Sequence, residues 1–222
     1  MSPDLFRITE SVAGTSVEGR PIALLQLGNT GSVVLIIAGI HGDEPNACKL
    51  IDRFIAKLKS DPRKISGTVV IMPRVNPDGC AHQVRRNAQG VDINRNFPSK
   101  NWTVGPHNQF YGGPSPLSEP ESVAIHKVIE ELKPVKIISI HSIWQGGQCN
   151  NYDGPGEAMA AAMSAQNHFA VKPSIGYPTP GSLGNWAGND KQIPMITLEL
   201  PPRATSETMW EENCEALLAG IK

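Results

Sequence analysis

Apolar residues along the chain fall into two patterns. Short, nearly continuous runs of Val, Ile and Leu at 22–27, 33–37, 68–72, 136–140 and 194–200 predict strands; longer stretches with apolar positions three and four apart at 44–59, 118–132, 156–169 and 206–218 predict helices. Each helix follows a strand or a Pro/Gly-rich loop, which is the order of an α/β fold. Because the strand runs carry few polar positions, both faces of the sheet are expected to be covered, giving a three-layer αβα sandwich around a mostly parallel mixed sheet. The helix at 118–132 has the clearest start signal: Ser118 and Glu121 stand at capping-box spacing, ahead of Ile125, Val128, Ile129 and Leu132 on one face. No repeat, low-complexity segment or linker divides the chain, so residues 1–222 are expected to form a single domain. The polar, Gly- and Pro-rich stretches 99–117 and 173–190 are too long for simple connections. They are expected to build a site beyond the carboxyl ends of the strands.

Charge then narrows the partner. With 20 Lys+Arg against 21 Asp+Glu among 222 residues, the chain has no basic field for a nucleic acid or an anionic membrane surface. A 40% hydrophobic, 18% charged composition excludes disorder and a coiled coil. The longest apolar run, from Val33 to Ile40, is broken by Gly39 and falls far short of the ~20 residues a membrane helix needs. A small-molecule partner is therefore expected. Met1-Ser2-Pro3-Asp4 has neither the basic nor the apolar part of a secretory signal, so the expected compartment is the cytoplasm. Cys48, Cys80, Cys149 and Cys214 lack CxxC spacing and read as free thiols, which excludes a Cys/His zinc finger.

Candidate chemistry sits where strands end. The segment from Leu35 to Pro45 is a strand that runs into Gly39 and then presents His41 and Glu44 three residues apart, with Pro45 suited to a first helical turn. On a tight turn that spacing puts both side chains on one side, and imidazole nitrogen with carboxylate oxygen is a good donor pair for Zn²⁺. A second apolar strand ends in His141, so that His41, Glu44 and His141 would make the three-ligand set of a catalytic zinc site. Two imidazoles and one carboxylate favour zinc over magnesium or calcium, which want mostly oxygen. Glu199 lies inside an otherwise apolar strand, where an uncompensated carboxylate is costly and calls for a partner or a catalytic task. The polar stretch from Arg85 to Asn96 holds three arginines and three asparagines. It reads equally as a solvated loop or as a set of donors for carboxylate and carbonyl groups. His82, His107, His126 and His168 fit no ligand set, Asp43 and Asp78 read as turn residues, and Trp102, Trp144, Trp186 and Trp210 read as packing anchors, with Trp144 and Trp186 in loops that could wall a pocket.

In order along the chain, HGDE, NPDG (76–79), GVDINRNFP (90–98), a strand-terminal histidine and a strand glutamate resemble the zinc carboxypeptidases of the M14 type over about residues 30 to 203. The resemblance implies that His41, Glu44 and His141 bind one Zn²⁺, that Glu199 is the general base, and that Asp92 orients His41. It further implies that Arg86 faces the scissile carbonyl, with Arg85 as the alternative, and that Asn94 and Arg95 grip the substrate's terminal carboxylate. The mobile tyrosine of the digestive members has no counterpart near Ala187-Gly188; Tyr177 stands before that turn and is the candidate to replace it. Within the family the similarity is to the short bacterial branch that acts on murein peptides. It implies hydrolysis of the γ-D-glutamyl–meso-diaminopimelate amide bond during cell-wall recycling, although the segment 142–153 departs from that branch. Three alternatives remain: a DL- or LD-carboxypeptidase on other bonds of the same peptides, a deacylase resembling aspartoacylase or succinylglutamate desuccinylase, and a noncatalytic metal-binding module.

Overall fold

The computed structural model describes residues 7–143 and 147–222. Its strands are β1 (Ile8–Thr15), β2 (Pro21–Leu27), β3 (Val33–Ala38), β4 (Thr68–Met72), β5 (Lys136–Ser142), β6 (Cys149–Asp153), β7 (Ala170–Lys172) and β8 (Met195–Leu200). They form one mixed sheet in the order β1-β2-β4-β3-β5-β8-β6-β7. The centre, β4-β3-β5-β8, is parallel throughout, and antiparallel pairings attach β2 on one side and β6 on the other. The expected sheet is thus observed, with both faces buried.

Alternation along the strands divides the core in two. Val34, Ile36 and Ala38 of β3 join Ile138, Ile140, Ile196 and Leu198 under helices α1 (Pro45–Ser60), α4 (Glu157–Asn167) and α5 (Ser206–Gly220). Leu35, Ile37, Val70 and Ile137 point the other way, towards Ile125, Val128 and Ile129 of α3 (Pro120–Leu132). On this second face the loops around Ile93, Phe97 and Leu183 complete the cover, and they bring polar residues to the carboxyl edge of the parallel strands. Among the described residues no helix is long and apolar enough to cross a membrane.

Several details differ from expectation. The capping box at Ser118 is not formed: α3 begins at Pro120 with Glu119 as its N-cap, and Ser118 Oγ donates instead to the Glu119 carboxylate at 2.8 Å. Proline at the first helical position moves the start, because its fixed φ suits that position and its missing N–H is not needed there. The short helix α2 (Pro77–His82), the strands β1, β6 and β7, and a π-helical turn at Gly184–Asp190 inside the long loop 173–190 were not legible as elements. Trp186, offered above as a possible pocket wall, is buried and stacks between Phe97 and His126. Trp144 lies outside the described residues.

Candidate active site

Three parallel strands deliver the cluster. The chain leaves β3 through Gly39, whose φ of +68° turns it sharply, and the next residues lie against α2. Gly42 packs so closely there that a Cβ would stand 1.9 Å from the carbonyl carbon of Gly79, which explains a glycine in HGDE. Asn76 secures the same turn from NPDG: its Nδ2 donates to Ile40 O and its Oδ1 accepts from Gly79 N. Glu44 is the N-cap of α1 but makes no capping hydrogen bond, so its carboxylate turns towards the cluster. Register does the rest, since β5 and β8 pair His141 with Glu199.

The side chains of His41, Glu44 and His141 converge in the interior, with donor atoms within 4.8 Å of one another. His41 Nδ1 lies 2.8 Å from Glu44 Oε1, His141 Nδ1 lies 3.1 Å from Glu44 Oε2, and the two Nδ1 atoms are 3.2 Å apart. The outer nitrogens are engaged elsewhere. His41 Nε2 faces Asp92 Oδ1 at 3.1 Å, and His141 Nε2 faces Ser139 Oγ at 2.9 Å. An ionised Asp92 can only accept, so His41 carries its proton on Nε2 and turns the Nδ1 lone pair inward. With His141 Nε2 donating to Ser139 Oγ in the same way, the inner nitrogens and the Glu44 carboxylate would offer their lone pairs at one point, an arrangement suited to a cation. The donor set is the one zinc favours.

Without a cation, a proton takes its place. Burial alone would strip His41 of charge, yet Glu44 and Asp92 outweigh it and hold the imidazole up to about 9, so that near neutral pH the ring also carries a proton on Nδ1, facing Glu44, which a bound cation would displace. Glu44 is buried too, but the two histidines keep its carboxyl well below the usual range. Asp92 is held low against burial by His41 and Arg85. Glu199 moves the opposite way: burial and the neighbouring Glu44 push it up to about 8. A cation on the adjacent ligands would draw it back towards the carboxylate form.

Among the described residues, two arginines line the cavity. Arg85 donates from Nε and Nη2 to Asp92 Oδ2 at 3.1 and 2.9 Å, and its Nη1 lies 3.9 Å from Glu44 Oε1. Arg95 is buried, donates to Asn94 O, and shares the ring of Phe110 with Arg85. Arg86 is not brought to the cluster, contrary to expectation. Its Nη1 donates to Gly90 O and Asn108 O, and it lines a separate surface cleft. The physical reason is Asp92, whose two oxygens hold His41 on one side and Arg85 on the other, which leaves Arg86 directed outward.

Asn94, Arg95 and Tyr177 line the same cavity of about 1250 Å³ as His41, Glu44, Arg85, His141 and Glu199. Tyr177 is 42% exposed, and burial together with Glu199 raises its phenol. Two residues that sequence reasoning passed over also belong here. Ser139, two positions before His141 on the same strand face, had period-two spacing as its signal. Asp153 ends β6 and lines the cavity, with the amides of Asn189 and Asn151 beside its carboxylate at 3.1 and 3.5 Å. Burial keeps its carboxyl above the usual range, and Gly184 and Gly188 leave room for it.

Residues 1–216 match the sequence profile of the zinc carboxypeptidases, the M14 peptidases. Murein peptide amidase A of Vibrio campbellii is 32% identical over 230 residues, covering 96% of this chain and 88% of that protein. Murein peptide amidase A of Escherichia coli K12 is 34% identical over 185 residues, covering 78% of this chain and 73% of that protein. The crystal structure of the murein-tripeptide amidase of Escherichia coli O157 superposes with a TM-score of 0.77 at 27% identity, covering 98% of this chain and 94% of that one.

Proposed function

The chain belongs to the zinc carboxypeptidase family and is a hydrolase of peptide or amide bonds, and from this premise we propose that it cleaves the γ-D-glutamyl–meso-diaminopimelate bond of murein peptides. In this reading it serves cell-wall recycling in the cytoplasm, as one domain. The observation that carries the substrate is the polarity of the cavity: Arg85 and Arg95 lie at the cluster, and the Asp153 carboxylate lies further along the same sheet face. Cys149 of β6 pairs with Glu199 and Asp153 with Met195, so Asp153 lies four residues, about 13 Å, along the strands from Glu199. Less the reach of the two acidic side chains, that separation suits a leaving residue with its α-carboxylate near the arginines and an amine at the end of a long side chain. Diaminopimelate carries such an amine, with a second carboxylate on the same distal carbon. The names and identities of the amidase relatives support the same substrate.

His41, Glu44 and His141 would hold the zinc, and Asp92 and Ser139 fix the ring orientations. Zinc, when bound, supplies Lewis-acid polarisation and acidifies water. Glu199 takes the proton of the attacking water and returns it to the departing amine, so that one carboxylate serves both transfers. Arg85 donates to the carbonyl oxygen as negative charge grows there. Arg95 and Asn94 receive the substrate's free carboxylate, and Tyr177, on the loop 173–190, lines the same cavity.

Two expected outcomes separate these roles. Arg85→Met lowers kcat/KM by about 10²- to 10³-fold, whereas Arg86→Met leaves it within a few-fold; equal losses in steady-state assays would remove the distinction. Second, wild-type protein prefers L-Ala-γ-D-Glu-meso-diaminopimelate to the tripeptide ending in 2-aminopimelate, which lacks the distal amine. Asp153→Asn reduces that preference by about 10- to 100-fold, the worth of a charge-assisted hydrogen bond. An unchanged preference would detach Asp153 from the substrate.

A further inference from the structure

Two of the cysteines that read as separate free thiols meet behind the ligand loop. Cys48 lies on α1 and Cys80 on α2, 32 residues apart in sequence, yet both sulfurs fill the space left by the missing side chain of Gly39. A Cβ at Gly39 would stand 3.1 Å from Cys48 Sγ and 3.3 Å from Cys80 Sγ. Cys80 Sγ also donates to Gly39 O at 3.9 Å. Cys80 is partly exposed, whereas Cys48 is 7% exposed.

We propose that Cys48 and Cys80 are a redox-active dithiol that a hydroperoxide converts to a disulfide, and that this bond slackens the hold of His41 and Glu44 on their metal. The pair has the asymmetry such chemistry needs. The neighbouring Cys48 lowers the Cys80 thiol, burial opposes this, and the Arg74 guanidinium assists; Cys80 beside it and burial push Cys48 upward. Cys80 is therefore the more accessible and more thiolate-like of the two, and Cys48 is the resolving partner. The Cys80 thiolate attacks one peroxide oxygen, the O–O bond breaks, and the displaced oxygen leaves as water or an alcohol. Cys48 then displaces water from the Cys80 sulfenic acid to form the S–S bond. Two electrons pass from the sulfurs to the peroxide.

The consequence for the site follows from position. Gly39 separates β3 from His41, α1 begins immediately after Glu44, and Gly42 already touches α2. Bringing the sulfurs to a bonded separation of about 2 Å pulls α1 and α2 together across this loop. A loop without spare room must shift, and it carries two of the three proposed ligands.

Zinc-loaded wild-type protein treated with stoichiometric hydrogen peroxide tests this. Thiol titration should show two of the four thiols lost, and peptide mapping without reductant should find Cys48 joined to Cys80. Zinc should pass to a colorimetric chelator several-fold faster than from reduced protein, and dithiothreitol should reverse both changes. Cys80→Ser and, separately, Cys48→Ala should abolish the linkage and the accelerated release, whereas Cys149→Ser should keep them. Oxidation of Cys80 to a sulfinic acid without the linkage, or a linkage with unchanged zinc release, would overturn the proposal. Zinc content of the reduced protein reports separately on the metal site itself.

Discussion

Replacing Glu199 with glutamine is expected to leave one zinc per chain and to lower turnover by about 10³-fold. Glutamine preserves the volume and one oxygen of the side chain but cannot take a proton from water. The ligand set does not include residue 199, and its strand neighbour His141 keeps its contacts to Glu44 and Ser139. The loss should therefore appear in kcat, with metal content unchanged by elemental analysis. Burial and the charge of Glu44 hold the native carboxyl up to about 8 before any cation is bound, so the neutral glutamine is also well tolerated electrostatically. Near-normal hydrolysis by this variant would remove Glu199 from the proton-transfer role.

His141→Ala is expected to act one step earlier. Without the imidazole, His41 and Glu44 remain as two ligands, and a zinc site with two protein donors does not retain its ion through gel filtration. Elemental analysis should give well under one zinc per chain, and turnover should fall to background. Ser139 and the Glu44 oxygen that now faces His141 would lose a partner, although Ser142 N still donates to that oxygen at 3.1 Å. Retention of a full equivalent of zinc would show that the ligand set is a different one.

The parts of the fold that were legible in the sequence are those where local pattern and tertiary role coincide. The central strands β3, β4, β5 and β8 are buried on both faces, and their nearly uninterrupted Val, Ile and Leu runs say so directly. β1 is largely exposed and β7 has only three residues, so neither carries such a run. β6, with the sequence Cys-Asn-Asn-Tyr-Asp, is polar because it borders the cavity, and its role hid its structure. The same tension appears at Ser118, where the capping spacing was present but Pro120 set the helix start.

For the site, His41 and His141 announce themselves where apolar strands end, Glu44 by its spacing of three from His41, and Glu199 as a carboxylate within an apolar strand. The choice between Arg85 and Arg86 does not lie in local pattern. It depends on which guanidinium Asp92 can reach while also holding His41, a relation between loops that only folding establishes. The contact between Cys48 and Cys80 is hidden for the same reason, since it runs between two helices through the gap at Gly39.

A zinc-dependent amidase built from His41, Glu44, His141 and Glu199 for a murein tripeptide, as proposed above, should release its leaving residue only with the metal in place. The most direct measurement is mass spectrometry of L-Ala-γ-D-Glu-meso-diaminopimelate after incubation with purified protein, with and without a chelator, and after zinc is restored. Free diaminopimelate and L-Ala-D-Glu are expected in equal amounts, abolished by the chelator and recovered with zinc. An intact tripeptide in the presence of a fully zinc-loaded protein, or cleavage that persists after zinc is removed, would contradict it.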